Sequence, residues 1–172
     1  MSNLFNDDEW RPAKRWGTVI PGYYVNKKGE VISTKGKQPK FLKPTVNNCK
    51  RKGNWENRIL ESLQYTLMVP KDFFPDYTPK VRKDLKWNPK TVSIRVSVHK
   101  TVMEVWKPIE DNPPIPLEDW NKCPETAKQF MIDCAIIDHI DDDPSNNNVN
   151  NLRWCTPKEN SSWRKKFNAG LG

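Results

Sequence analysis

No apolar run in this sequence approaches the ~20 residues that cross a bilayer, and the acidic opening Met1 to Trp10 is unlike a secretory leader. These absences lead to the expectation of a cytoplasmic protein with no membrane partner, which makes the Asn160-Ser161-Ser162 glycosylation sequon incidental. Cysteine is scarce and badly spaced for a metal. Cys49, Cys123, Cys134 and Cys155 form no C-x-x-C pair, so neither a zinc knuckle nor a redox motif can start, and the thiols are expected to be reduced and mostly buried. Glycine is low, at 7 against 15 prolines, and hydrophobic residues make up 35%. That balance fits a loop-rich fold with a modest core and ordered connections more than free linkers. No internal repeat is visible, and 172 residues suit one compact body.

Positive charge is present in excess and unevenly placed. The net charge is +8, but residues 1–100 hold 21 lysines and arginines against 9 acids, while residues 101–172 hold 8 against 12. A basic surface attracts polyanions and gains entropy by releasing their counterions. The first hundred residues are therefore expected to bind nucleic acid; a basic face kept only for solubility is the bland alternative.

Residues 1–15 read as a loosely held lead-in. A hairpin follows, with Tyr23-Tyr24-Val25 and Val31-Ile32-Ser33 flanking a turn in which Gly29 can take the left-handed conformation. Residues 38–58 are basic and turn-rich; Lys50, Arg51 and Lys52 are either a phosphate-contacting turn or an exposed hairpin tip. Leu63, Tyr65, Leu67 and Val69 alternate with Ser62, Gln64, Thr66 and Met68, as in a strand with one buried face. Residues 70–90 are a proline-stiffened excursion whose aromatics, interleaved with cations, either stack on exposed bases or, as Phe73 and Phe74, pin the loop to the core. Thr91 to Lys100 alternates again, with Arg95 on the polar face, and a short helix is expected over Thr101 to Lys107, stopped by Pro108. Ile109 to Pro116 reads as a connector, and another helix begins near Pro124.

The carboxy-terminal end carries the chemistry. Ile136-Ile137 lead as a short strand into Asp138-His139, a polar loop follows, and Leu152-Arg153-Trp154 is a second strand. Thr156, Pro157 and Glu159 then form a Thr-x-x-Glu capping box that puts Asn160 in the first turn of a helix. Asp141-Asp142-Asp143 fails as a calcium loop, since position 6 is Asn146 and position 12 is Leu152; it reads as a solvated turn.

Asp-His, then Asn-Asn-x-x-x-Asn-Leu-Arg-Trp, then Thr-x-x-x-Asn resembles the HNH nucleases, in particular the phage homing endonucleases with a ββα-metal fold, over residues 136–160. Weaker similarity touches Ser97-Val98-His99-Lys100 and the Gly22 to Ser33 hairpin. The resemblance implies an α+β protein with an amino-terminal antiparallel sheet region and a carboxy-terminal ββα-metal unit. It divides into a DNA-binding region at 1–90 and a nuclease region at 91–172, with the ββα core at about 135–168. It implies that Asp138 and Asn160 hold one divalent cation, that His139 is the general base, and that Asn151 locks the loop that positions it. One carboxylate and one amide oxygen suit Mg2+ or Mn2+, and no structural zinc is expected. Lys50, Arg51, Lys52, Arg95, Arg153, Lys158 and Arg164 are the candidate contacts to double-stranded DNA. His99 is expected to make a structural hydrogen bond.

The chain ends 12 residues past Asn160, too soon for the carboxy-terminal helix-turn-helix of some relatives. Specificity is then expected from the basic region, from the 70–90 excursion or from homodimerisation. The implied activity is phosphodiester hydrolysis leaving 5′ phosphates, by nicking or by cutting both strands. A nonspecific nuclease and a non-catalytic DNA-binding or packaging accessory are the rivals.

Overall fold

Alternation and turn chemistry organise the amino-terminal half. The computed structural model describes residues 8–49, 60–73 and 90–161. Strand β2 (Thr18–Asn26) pairs antiparallel with β3 (Val31–Ser33), Tyr23 facing Ser33 and Val25 facing Val31. The turn between them is held by Asn26, whose side-chain oxygen accepts the N–H groups of Lys28 and Glu30, and Gly29 takes φ +85° as the turn requires. On the other edge of β2 lies β1 (Trp10–Arg15). These six residues are a paired strand, not the loose lead-in expected from their charge. Ala13 is fully buried and Arg11 stacks over the Trp106 ring at 4.3 Å, so long-range partners order a segment whose composition reads as solvent-exposed. The short β4 (Lys40–Phe41) completes a four-stranded sheet in the order β1-β2-β3-β4.

A second, three-stranded antiparallel sheet is built from β5 (Thr45–Cys49), β6 (Leu60–Pro70) and β7 (Thr91–Ser97). Tyr65, Leu67 and Val69 of β6 and Ile94 and Val96 of β7 are buried, as period-two alternation predicts. The β6–β7 pairing spans residue 90, where the sequence places a functional boundary. Phe73 packs against the core. Phe74, the rest of the excursion to residue 89, and Lys50, Arg51 and Lys52 lie outside the described residues.

Helix α1 (Val98–Trp106) begins three residues before the expected Thr101. Val98 satisfies both patterns: it continues the alternation from Val96, and it starts the helical stripe completed by Val102 and Val105. The consequence is that His99 sits in a helix, not on the polar face of a strand. Helix α2 (Leu117–Lys122), not anticipated, is anchored by the buried Trp120, and α3 (Glu125–Cys134) follows Pro124. Strands β8 (Ile136–His139) and β9 (Leu152–Cys155) form a two-stranded antiparallel sheet, and residues 157–161 are helical. The whole is mixed α+β.

One core joins these parts. It runs from Ala13 and Ile20 through Leu67, Val98 and Met103 to Val149 and Leu152. Trp154 donates its indole N–H to the Lys107 carbonyl at 2.8 Å, and the Val149 N–H reaches the Lys27 carbonyl at 2.8 Å. The thiols depart from expectation: of the three whose side chains are described, only Cys155 is buried, Cys123 is half-buried and Cys134 is exposed, because α3 buries no residue. No helix among the described residues is long and apolar enough to cross a membrane.

Candidate active site

Asp138 and His139 occupy the last two positions of β8, and strand alternation sends their side chains to opposite faces. Directly across the ladder from Asp138 is Arg153. Its Nε and Nη2 donate to one carboxylate oxygen, Oδ2, at 3.0 and 2.6 Å. Asp138 is only 8% exposed, so this pairing offsets much of the cost of burying a carboxylate. Both bonds go to Oδ2. The other oxygen, Oδ1, has an open acceptor position among the described residues.

The loop from Ile140 to Asn148 is ordered by its own side chains. Asn151 accepts the Asp141 N–H at 3.1 Å and donates to Asp141 Oδ1 and to the Asn146 carbonyl, both at 2.8 Å. Asp141 also receives Asn146 Nδ2, and Asp143 receives both the amide and the hydroxyl of Ser145. Hydrogen bonds from Asn146, the Asp143 amide and Asn151 hold the Asp141 carboxyl below the ordinary range. Asp141, Asp142 and Asp143 are exposed, as the solvated turn expected of them requires, and Asp141 and Asp143 also tie the loop together.

Asn147, the second Asn of the Asn-Asn pair in the motif, is the residue to which the sequence assigns no role. It is 3% exposed, and its Nδ2 donates to the Ser145 carbonyl at 3.0 Å. That bond fixes the amide orientation and turns Oδ1 toward His139 Nε2, 3.3 Å away. Since Oδ1 can only accept, the proton of a neutral His139 belongs on Nε2. Nδ1 then carries the lone pair. In sequence Asn147 is one of the run Asn146 to Asn148, and nothing local separates a buried member of such a run from its solvated neighbours.

His99 packs edge-to-face on His139, ring centroids 5.6 Å apart. The expected structural hydrogen bond is not found: Nδ1 is enclosed and has no hydrogen-bond partner among the described residues, because helix α1 turns the ring inward onto its neighbour. Burial, then the charges of His139 and Lys100, lowers its pKa from 6.5 to about 4. The unfolded chain therefore binds the extra proton between these values. Stability should fall as pH drops from about 6.5 toward 4, with a slope approaching ~1.4 kcal/mol per pH unit from this site. In His99→Gln that component of the slope should vanish in urea titrations across the range; an unchanged slope would assign the loss to other groups.

The capping box forms as the sequence predicts. Thr156 N–H and Oγ1 both donate to Glu159 Oε2, at 2.8 and 2.9 Å, and Glu159 N–H returns to Thr156 Oγ1 at 3.3 Å. These bonds hold the Glu159 carboxyl below its ordinary range. Asn160 follows in the first turn. Between it and Asp138 lies the Cys155 thiol, which receives the Asn160 N–H and feels the Asp138 charge; burial first, then that charge, pushes its pKa up to about 11. The thiol is thus held protonated, as a packing group. The Asp138 carboxylate and the Asn160 side-chain amide, each of which bears on Cys155 through its charge or its own backbone N–H, are hard oxygen donors of the type that suits Mg2+ or Mn2+.

The remaining predicted contacts are dispersed. Arg153 lies on Asp138, Arg95 is exposed on β7 opposite Thr66, and Lys158 is exposed in the terminal helix. Arg164 lies outside the described residues.

Residues 111–162 match the family model described as HNH endonuclease. Among solved structures, the chain is similar to one described as "DNA binding and cleavage by the HNH homing endonuclease I-HmuI", with a TM-score of 0.52 and 19% identity over 93% of this chain. The match covers 59% of that protein's length. No curated protein sequence matches. The family match spans residues 111–162, less than half of the chain, and the likeness to the solved structure is one of fold.

Proposed function

We propose that this chain is a divalent-metal-dependent endonuclease of the homing type, acting in the cytoplasm on double-stranded DNA. Its catalytic unit is the ββα arrangement of β8, β9 and the helix starting at residue 157, and its basic residues 1–90 hold the duplex. The observation that carries the reading is the hydrogen bond of His139 Nε2 to Asn147 Oδ1, which accepts the Nε2 proton and leaves the Nδ1 lone pair to take a proton from water. His139 is then the general base, Asn147 and Asn151 are positioning residues, and Asp138 Oδ1 with the Asn160 amide oxygen hold the cation. When bound, that cation supplies charge neutralisation at the phosphate and at the leaving 3′ oxygen. Arg153 orients the Asp138 carboxylate through its two hydrogen bonds to Oδ2, and it is assigned a phosphate contact as well. Lys50, Arg51, Lys52, Arg95, Lys158 and Arg164 are assigned to the DNA backbone, with homodimerisation as a further source of specificity.

The metal ligands are tested by substitution. Asp138→Asn keeps an acceptor for Arg153 while removing the charge, and Asn160→Ala removes the amide. Each should weaken Mn2+ binding by about 10-fold or more, as loss of a ligand charge or atom from an oxygen site does, and should shift the Mg2+ requirement for DNA cleavage upward. Electron paramagnetic resonance titration of Mn2+ reads the first effect independently of activity. Unaltered Mn2+ affinity in both variants would remove these residues from the metal site.

A further inference from the structure

The bond that orients His139 holds it at one ring atom, and that bond is long. The 3.3 Å from Nε2 to Asn147 Oδ1 lies beyond the usual range for a nitrogen donor. It defines the place of Nε2 better than the tilt of the imidazole plane. A general base needs the tilt as well, because its lone pair has to point along the path of the proton.

The second hold comes from His99. Its ring meets that of His139 edge to face, at 74° and 5.6 Å between centroids, an arrangement that planar rings prefer. His99 is carried by the anchored first turn of α1, between the buried Val98 and Thr101, whose hydroxyl donates to the Ser97 carbonyl at 3.1 Å. Val98 and Asn147 both close on Gly29, so the β2–β3 turn locates both holds on the imidazole. His99 also lines a cleft of about 850 Å³, while His139 is not among its walls. The His99 ring therefore separates His139 from that open space, and shortening it would give the imidazole room to swing.

The contact is made by the ring and not by a nitrogen. His99 Nδ1 is enclosed without a hydrogen-bond partner among the described residues, and burial keeps the side chain uncharged at neutral pH. Phenylalanine thus reproduces what His99 offers to its neighbour.

We propose that His99 is a positioning residue for the reaction, its ring setting the tilt at which His139 presents Nδ1 to the attacking water. The inference rests on the reading of His139 as general base given above.

The test measures kcat and KM on supercoiled plasmid with Mg2+ for the full chain as wild type, His99→Phe, His99→Leu and His99→Gln. Proton NMR shifts of the His139 ring read the same contact without activity. Leucine leaves no enclosed nitrogen unpaired, so His99→Leu should melt at or above the wild-type temperature. His99→Phe should retain wild-type kcat and KM and a ring-current displacement of the His139 signals. His99→Leu and His99→Gln should lose that displacement, and kcat should fall on the order of 10-fold or more, as small misplacements of a catalytic group produce, with KM unchanged. Wild-type kcat in folded His99→Leu or His99→Gln would overturn the proposal and leave His99 as a packing residue. A loss in His99→Phe as large as in His99→Leu would overturn it too, since the nitrogen and not the ring would then matter. A wild type that cleaves no DNA would instead overturn the nuclease reading, and full cleavage by His139→Ala the general base; either takes this inference with it.

Discussion

His139→Ala is expected to reduce DNA cleavage by ~10² to 10⁴-fold, the range that a positioned general base supplies, while DNA affinity stays at the wild-type level. The asymmetry follows from placement. His139 ends β8 against Asn147 and His99, and the net positive charge proposed to hold DNA lies in the first hundred residues. Removing the imidazole takes away the Nδ1 lone pair and nothing that the phosphate backbone needs. It also leaves the buried Asn147 Oδ1 without its partner, a cost of ~1 to 3 kcal/mol that denaturant titration can separate from the catalytic loss. Steady-state cleavage and filter binding on the same duplex give the two numbers. Equal loss of binding and cleavage would make His139 a structural residue.

Gly29→Ala should be nearly as damaging, although Gly29 lies far from the site in sequence. A Cβ there meets Val98 Cγ1 at 2.8 Å and the Asn147 Cβ at 3.1 Å, and the backbone is at φ +85°. Left-handed geometry costs an L-residue ~1 to 2 kcal/mol, and overpacking a well-filled site costs ~1 to 3 kcal/mol. A destabilisation of about 3 kcal/mol is therefore expected. The backbone of this turn is fixed from three sides, by Tyr65 Oη donating to the Gly29 carbonyl at 3.0 Å, by the Val149 N–H on the Lys27 carbonyl, and by Asn26. Val98 and Asn147 are what must give way, and it is the shift of Asn147 that reaches the candidate base. That shift loosens the bond to His139 Nε2, so kcat should fall on the order of 10-fold or more, as small misplacements of catalytic groups do, with KM little changed. Gly36→Ala is the control: its nearest neighbour is the Gln38 carbonyl at 3.5 Å, an ordinary contact, and both stability and cleavage should remain at wild-type values. Cleavage by folded Gly29→Ala at the wild-type rate would uncouple the hairpin turn from the catalytic loop.

These two sites differ in how legible they are in the sequence. Whatever depends on neighbours within a few residues can be read directly. The Thr156–Glu159 box, the β2–β3 turn with Gly29, and the alternation of Tyr65, Leu67 and Val69 all form as their local patterns dictate. Asp138, His139 and Asn160 are placed by the same means, since a strand end and a helix start fix them. What depends on distant partners is silent. β1 pairs because β2 and Trp106 are there to receive it. His99 turns inward because α1 starts at Val98, and the sequence pattern fits either periodicity at that residue. Asn147 is distinguished from Asn146 and Asn148 only by the burial that the β2–β3 turn imposes on it. Arg153 reads as an exposed phosphate contact and meets Asp138 because the β8–β9 register sets them face to face.

The central claim is that His139 and a cation held by Asp138 and Asn160 hydrolyse phosphodiesters in duplex DNA. Sequencing the ends generated when the full chain is incubated with genomic DNA, with Mg2+ or with a chelator in its place, tests it most directly. The account predicts new ends bearing 5′ phosphates that appear with Mg2+ and are absent with chelator. DNA that is bound yet carries no new ends with Mg2+ or Mn2+ would contradict it.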